Sequence, residues 1–283
     1  ALFGDVSWAP VGPKVRAQFA KALNAPKLHD EDWLNVLDCD AWALPRAGFM
    51  GARPQIGRHS RPDPAKWPAD REGFLAAYPD DPQIDVHLMG YGAEQEAIVG
   101  AAPKNWRILP FGAVPPREFL ARLDYFVYHH HPHWVEAYGR SILEAMACGV
   151  VPILAPHFRP LFGDAAVYSA SEAVRETVLD LHSNPARYLA QVQRSVDTAR
   201  TMGDVSVLVK RVERMIGKPA KLQSDETGLP HRRPKVMFFT SNGVGMGHLT
   251  RALSVARRLP NHIDATMLTL SKAFGLAQRD GIN

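Results

Sequence analysis

The chain has 283 residues, 46% of them hydrophobic and 22% charged, with a formal net charge of +4, an ordinary soluble globular composition. No Lys/Arg run is longer than two, so nothing marks a nucleic-acid face, and the mild positive excess suits either a solvated surface, an anionic substrate or loose peripheral contact with an anionic membrane. No apolar run approaches a membrane span, no signal-peptide pattern opens the chain, and two cysteines (Cys39 and Cys148) make no disulfide framework, so a cytoplasmic location is expected.

Residues 1–52 mix short apolar segments with Pro and Gly, and one helix is expected from Val15 to Leu23. The acidic stretch HDEDWLNVLDCDAW interleaves apolar Leu34, Val36 and Leu37 with its carboxylates and lacks the order of a calcium loop, so it reads as a helical face or turn. The chain starts in mid-pattern without a methionine. This segment is therefore expected to be the tail of a preceding domain and a linker.

A regular rhythm begins at Pro54. Gln55–Ile56 form a strand leading into Gly57-Arg58, Trp67–Tyr78 a helix, Ile84–Met89 a strand, and Ala93–Val99 a helix. Trp106–Phe111 form a strand and Pro116–Leu123 a helix, with proline suited to its first turn. Beyond the stretch described next come a strand at Ala166–Ser169, a helix at Glu172–Leu181 and one long helix from about Pro185 to Ile216. Strands alternating with helices imply an α/β, doubly wound parallel sheet, and about 165 residues suffice for one such Rossmann-like domain.

The stretch DYFVYHHHPHWVEAYGRSILEAMACGVVP, from Asp124 to Pro152, reads as buried strand, polar loop, short helix and buried strand. Such a unit places ligands at the carboxyl edge of a parallel sheet. Glu136 lies before the helix and Glu144 within it. On one continuous helix they would lie about 12 Å apart and roughly 80° out of phase, but Pro132 and Gly139 argue for Glu136 on the loop, with both carboxylates facing one crevice. Between them the free N–H groups of Gly139, Arg140 and Ser141 form a natural anion site. Carboxylates for sugar hydroxyls beside a phosphate site suit a nucleotide sugar. His129, His130, His131 and His133 invite a zinc reading, yet near-consecutive residues on one loop rarely converge on one ion, so no metal is expected.

The run EAYGRSILEAMACGVVP resembles the E-x7-E signature of retaining glycosyltransferases with the GT-B fold, the large family-four group. The opening strand continues the resemblance. IGRHSRPDPAKWP is similar to the family's G-R-x-x-x-x-K-G loop, in which one Arg and one Lys hold the donor diphosphate. Arg58 and Lys66 fill those places, with Arg61 as the alternative to Lys66. The gap is longer than in the family, and Trp67 replaces the glycine. HLMGYG and ILPFG look like the family's strand–glycine edges, although Gly90, Gly92 and Gly112 also serve simply to turn the chain. The resemblance implies that Glu144 binds ribose hydroxyls, Glu136 holds the sugar ring, and no cofactor or metal takes part.

Residues 217–234 are polar and rich in Pro and Gly and read as a linker. Val236–Thr240, a glycine-rich loop, a helix from Leu249 to Leu259 and a strand from Ile263 to Leu270 then make one βαβ unit. One such unit covers a single face of its sheet, so its domain must be completed elsewhere. The loop SNGVGMGH resembles the G-x-G-M-G-H-x-x-R opening of a different GT-B group, whose members make lipid-linked and membrane glycolipid sugars. Gly243, Gly245 and Gly247 would form the loop, His248 is a candidate general base or a helix cap, and Arg251 matches the basic residue after it.

The expectation is a fragment across two glycosyltransferase modules, with a donor-binding domain at 53–216 and the start of a second module at 235–283. Its partners would be a nucleotide sugar, a glycan, lipid or small-molecule acceptor, and the missing halves of the parent chain. It would act in the cytoplasm or at the inner membrane face. A nucleotide-sugar epimerase and a non-catalytic sugar-nucleotide binding module are the alternatives.

Overall fold

The structure is a computed structural model that describes residues 7–22, 27–216, 235–240, 247–259, 263–269 and 275. It divides into two compact units, Ala1–Pro219 and Ala220–Asn283.

In the first unit the elements run α1 (Pro13–Phe19), α2 (Cys39–Trp42), β1 (Gln55–His59), α3 (Arg71–Ala77), β2 (Asp85–Met89), α4 (Ala93–Val99), β3 (Trp106–Leu109) and α5 (Pro116–Leu120). They continue through β4 (Tyr125–Tyr128), α6 (Arg140–Ala147), β5 (Val151–Leu154), α7 (Arg159–Phe162), β6 (Val167–Tyr168), α8 (Val174–His182), α9 (Pro185–Gly203) and α10 (Val205–Ile216). The six strands form one parallel sheet in the order β3-β2-β1-β4-β5-β6. The α/β doubly wound architecture read from the sequence is thus the observed one.

Both faces of the sheet are covered, which is why its strands are apolar without alternation. Tyr125 and Val127 join one core with Ile56, Val86, Ile153, Phe74 of α3 and Val178 of α8. Phe126 and Tyr128 point the other way, into a core with Leu120 of α5 and Ile142, Leu143 and Met146 of α6. Cys39 and Cys148 are buried free thiols.

Several boundaries differ from the sequence reading. Gly57 and Arg58 lie inside β1, because pairing with β2 continues to His59↔Met89. Helix α3 starts at Arg71 rather than at Trp67: Asp70 caps it by accepting from Gly73 N at 2.8 Å, and Trp67 ends a short 3-10 turn at Pro64–Lys66. The expected long helix breaks between α9 and α10. There Gly203 O accepts from Leu37 N at 2.7 Å and Val205 N donates to Leu37 O at 3.1 Å, so an incoming segment takes the backbone groups a continuous helix would use.

That incoming segment is not detached from the domain. Leu37 and Cys39 are core residues. Arg46 donates to Leu123 O at 2.7 Å, Leu120 O at 2.8 Å and Cys148 O at 3.2 Å. It thereby satisfies carbonyls left open at the ends of α5 and α6. Buried Asp124 accepts from Met50 N at 2.7 Å and Gln55 N at 2.9 Å, fixing the chain at the entry to β1. A packing boundary at 52/53 is therefore absent.

In the second unit β7 (Lys235–Thr240) pairs in parallel with β8 (Asp264–Thr269), joined by α11 (Gly247–Ala256). Leu249, Leu253 and Ala256 pack on Phe238, Ala265 and Met267. Met237 and Leu268 are exposed, consistent with one helix covering one face. Gly243 and Gly245 lie outside the described residues. Gly247 opens α11, and the side chains of His248 and Arg251 on that helix also lie outside what is described.

Candidate functional site

The strand order reverses direction between β1 and β4, and ligands of open α/β sheets bind at the carboxyl ends of the strands at such a switch point. The pairing Ile56↔Tyr125 and Gly57↔Phe126, continued along both strands, brings His59 level with Tyr128 at that edge. Each of these residues leads to one of the two glutamates.

Tyr128 Oη donates to Glu136 Oε2 at 2.6 Å, Trp134 Nε1 donates to the same oxygen at 3.4 Å, and Lys66 Nζ forms an ion pair with it. Lys66 also stands 4.5 Å from the Trp134 ring centroid. Burial raises the Glu136 carboxyl, but the Lys66 bond and charge and the two further donors outweigh it, and the net shift is downward. The loop that carries Lys66 is held by Trp67, which is fully buried and donates through Nε1 to Arg61 O at 2.9 Å. Here lies the physical reason for the departures in this loop: the extra residues form a turn, and the tryptophan anchors it. Arg61 itself is exposed.

Glu144 sits on α6, almost buried, with Arg140 Nε 3.0 Å from Oε1 and His59 Nε2 3.5 Å from Oε2. Burial raises its carboxyl more than Arg140 lowers it. Burial, with the nearby Arg58 charge, holds His59 down at about 4, so its imidazole is neutral at pH 7 and does not pair with Glu144 as an ion.

Between the carboxylates lies the start of α6. Gly139 caps it at φ +82°, and a Cβ there would meet Ile142 Cδ1 at 2.7 Å, with Glu136 Cγ at 3.6 Å. Ile142 N already bonds to Gly139 O, whereas among the described residues no backbone carbonyl takes the N–H groups of Arg140 and Ser141. Free N–H donors of this kind are what the first turn of a helix leaves open.

Arg58 lies beneath this crevice and not on its rim. Its guanidinium is buried between the Trp67 ring at 4.6 Å and the Tyr128 ring at 4.2 Å, and Nη1 donates to His129 O at 2.8 Å. Among the described residues no carboxylate pairs with it, and its Nε and Nη2 have no hydrogen-bond partner. Of the histidines, His129 is held neutral by burial with a value of about 4, and among the described residues no three His, Cys, Asp or Glu side chains converge as a metal site requires. Gly90 and Gly92 serve the chain locally: Gly90 N donates to Leu109 O and Gly92 N to Gln95 Oε1, each at 2.9 Å.

A cavity of about 250 Å³ opens beside Glu136. Two larger ones, of about 610 and 790 Å³, lie at the amino edge of the sheet and against α9–α10, away from every residue singled out in the sequence. Tyr128, Trp134 and His59 were not singled out from sequence. The register of β1 against β4 would have found the first and last, since it places both at the edge that carries the glutamates.

The opposite shifts of the glutamates predict opposite pH signatures. Glu136, lowered from 4.5, contributes stability above its unfolded value that disappears as pH falls through its folded value. Glu144, raised from 4.5, must be ionised at a cost that sets in as pH rises from the unfolded value through the folded one. At pH 7 Glu136→Gln should lose about 1–2 kcal/mol and Glu144→Gln should gain on the order of 1 kcal/mol. Both differences should shrink towards zero in acid, that of Glu144 as pH falls to its unfolded value of 4.5 and that of Glu136 only further below it, as read by urea denaturation across pH.

No protein-family model matches the chain, and no curated protein matches it in sequence. Among solved structures it is similar to Anabaena HepE in complex with UDP-glucose, at 14% identity and TM-score 0.56, covering 73% of this chain and 62% of that one. It is similar to sucrose-phosphate synthase from Thermosynechococcus elongatus at 15% identity and TM-score 0.57, covering 73% and 56%. A glycosyltransferase from Rickettsia africae matches at 11% identity and TM-score 0.59, covering 74% and 62%. The chain therefore spans less than two thirds of the length of each, and what it shares with these three proteins is their fold.

Proposed function

We propose that residues 53–216 are the donor-binding part of a glycosyltransferase that moves a sugar from a nucleoside diphosphate sugar to an acceptor with retention. The reading is carried by one observation: two largely buried carboxylates, Glu136 on the loop and Glu144 on α6, are met by Tyr128 and His59 from adjacent strand ends at the switch point, with open helix N–H groups between them. HepE binds UDP-glucose at the same fold level, which supports a nucleotide sugar as ligand.

In this reading Glu144 accepts from ribose hydroxyls and Glu136 from the sugar. Arg140 N–H, Ser141 N–H and Lys66 hold the diphosphate, whose negative charge grows as it departs, so their effect is greatest in the transition state. The acceptor oxygen bonds to the anomeric carbon on the face from which the diphosphate departs, the bond from that carbon to the diphosphate oxygen breaks with its electron pair leaving on the diphosphate, and the acceptor hydroxyl's proton passes to that departing oxygen. Residues 235–283 are proposed to begin a second module, with His248 as its general base and Gly243, Gly245, Gly247 and Arg251 around its ligand.

Thermal unfolding with UDP, GDP and ADP tests the donor site. A nucleotide at about 100 times its dissociation constant should stabilise the chain by about 2.7 kcal/mol. Glu144→Ala should weaken it about tenfold and cut that to about 1.4 kcal/mol. No stabilisation by any of the three nucleotides would sink the proposal.

A further inference from the structure

The cavity beside Glu136 is walled mainly by Pro13 of α1, Ala137 of the loop, and Phe158 and Leu161 at the start of α7. Helix α1 is seated on this wall, since a Cβ on Gly12 would stand 3.4 Å from Ala137 O and 3.7 Å from Leu161 Cδ1. Polar groups enter it sparingly. Glu136 receives all three of its protein donors on Oε2, while Oε1 takes none from the described residues and remains open to solvent. Lys14, His157 and Pro160 complete the lining, and burial holds His157 at about 4, so the imidazole brings no charge at neutral pH.

We infer that this pocket is the acceptor subsite and takes the apolar body of an alcohol, aromatic or short-chain aliphatic, whose hydroxyl donates to Glu136 Oε1. Its role as acceptor subsite rests on the donor reading above. The physical case against a sugar here is direct. Each hydroxyl of a saccharide pressed on these four apolar walls without a partner would cost about 1–3 kcal/mol. Oε1 has lone pairs for one hydroxyl of the donor sugar and one of the acceptor, and apart from Lys14 and His157 the rest of the lining rewards apolar contact. At about 250 Å³ the cavity is below the usual range of about 300–1,000 Å³ for drug-sized ligands, so it holds one ring system or a short chain.

The test uses the full chain and 2-naphthol, followed by saturation-transfer NMR, with UDP, GDP and ADP binding measured on the same samples. Saturable binding with a dissociation constant of about 0.1–1 mM is expected. Leu161→Trp, which fills the pocket, should weaken naphthol at least tenfold and leave nucleotide affinity unchanged. Ala137→Leu attacks the same space from the opposite wall and decides the matter where Leu161→Trp melts early. Methylating the naphthol hydroxyl should cost several-fold, and methyl glucoside should not compete. Equal naphthol affinity in the wild type and both variants, no saturation in the wild type, or effective competition by methyl glucoside would each overturn the pocket. Naphthol binding with the expected losses but no nucleotide binding would keep the pocket and overturn its assignment as an acceptor subsite.

Discussion

Replacing Gly90 with alanine is expected to destabilise the first unit by about 3 kcal/mol and lower its melting temperature by about 6–12 °C. Gly90 ends β2 at φ +90°, a conformation that side chains rarely adopt. A Cβ there would stand 1.7 Å from Ser60 O, which is backbone and has no rotamer to yield. The ends of β1, β2 and β3 are also tied at this point, because Ser60 N donates to Met89 O at 3.0 Å and Gly90 N to Leu109 O at 2.9 Å. Relief therefore means pulling the end of β1 away from β2, beside His59 and the crevice. Calorimetric melting would check this, with Gly112→Ala as the control. Gly112 also has a positive φ, +76°, but nothing lies within 4 Å of its added Cβ, so it should lose only about 1 kcal/mol. Equal losses at the two glycines would mean that conformation, and not close approach, sets the cost at Gly90.

The run from Asp124 to Pro152 was legible because each part of it obeys a local rule. Four apolar residues gave β4, Gly149 at φ +69° ended α6 as a C′ glycine does, and Val151–Leu154 resumed the sheet. What failed were places where tertiary contact overrides local preference. Gly203 followed by Asp204, whose Oδ1 accepts from Ser206 N at 2.9 Å, is a weak local signal for the break, and Leu37, more than 160 positions earlier, secures it by supplying the competing hydrogen bonds. A linker composition before Pro54 likewise concealed Arg46, whose three carbonyl bonds all go to residues far along the chain. At the site, both glutamates were found by their spacing. The groups that meet them from the strand ends, Tyr128 and His59, come from sheet register, which a periodic pattern does not encode.

Arg58→Met is expected to weaken nucleotide diphosphate binding by about 2 kcal/mol, or roughly 30-fold, while changing the stability of the ligand-free chain by less than about 1 kcal/mol. The two halves of this expectation have one origin. A guanidinium buried without a carboxylate partner, and with Nε and Nη2 lacking acceptors, carries a desolvation cost that its contacts to Trp67, Tyr128 and His129 O only partly offset. Methionine keeps the volume between the rings, removes that cost and gives up those contacts, so the changes nearly cancel. The charge itself has no counterion to neutralise its field. At an effective dielectric of about 20, a phosphate held about 8 Å from the guanidinium would gain about 2 kcal/mol from one unit charge without touching it. Titration calorimetry of the tightest nucleotide, at two ionic strengths, separates this from a surface effect, since a buried charge is screened far less than an exposed lysine. A stability loss of several kcal/mol with unchanged nucleotide affinity would make Arg58 a strut under the His129 loop and remove it from the ligand site.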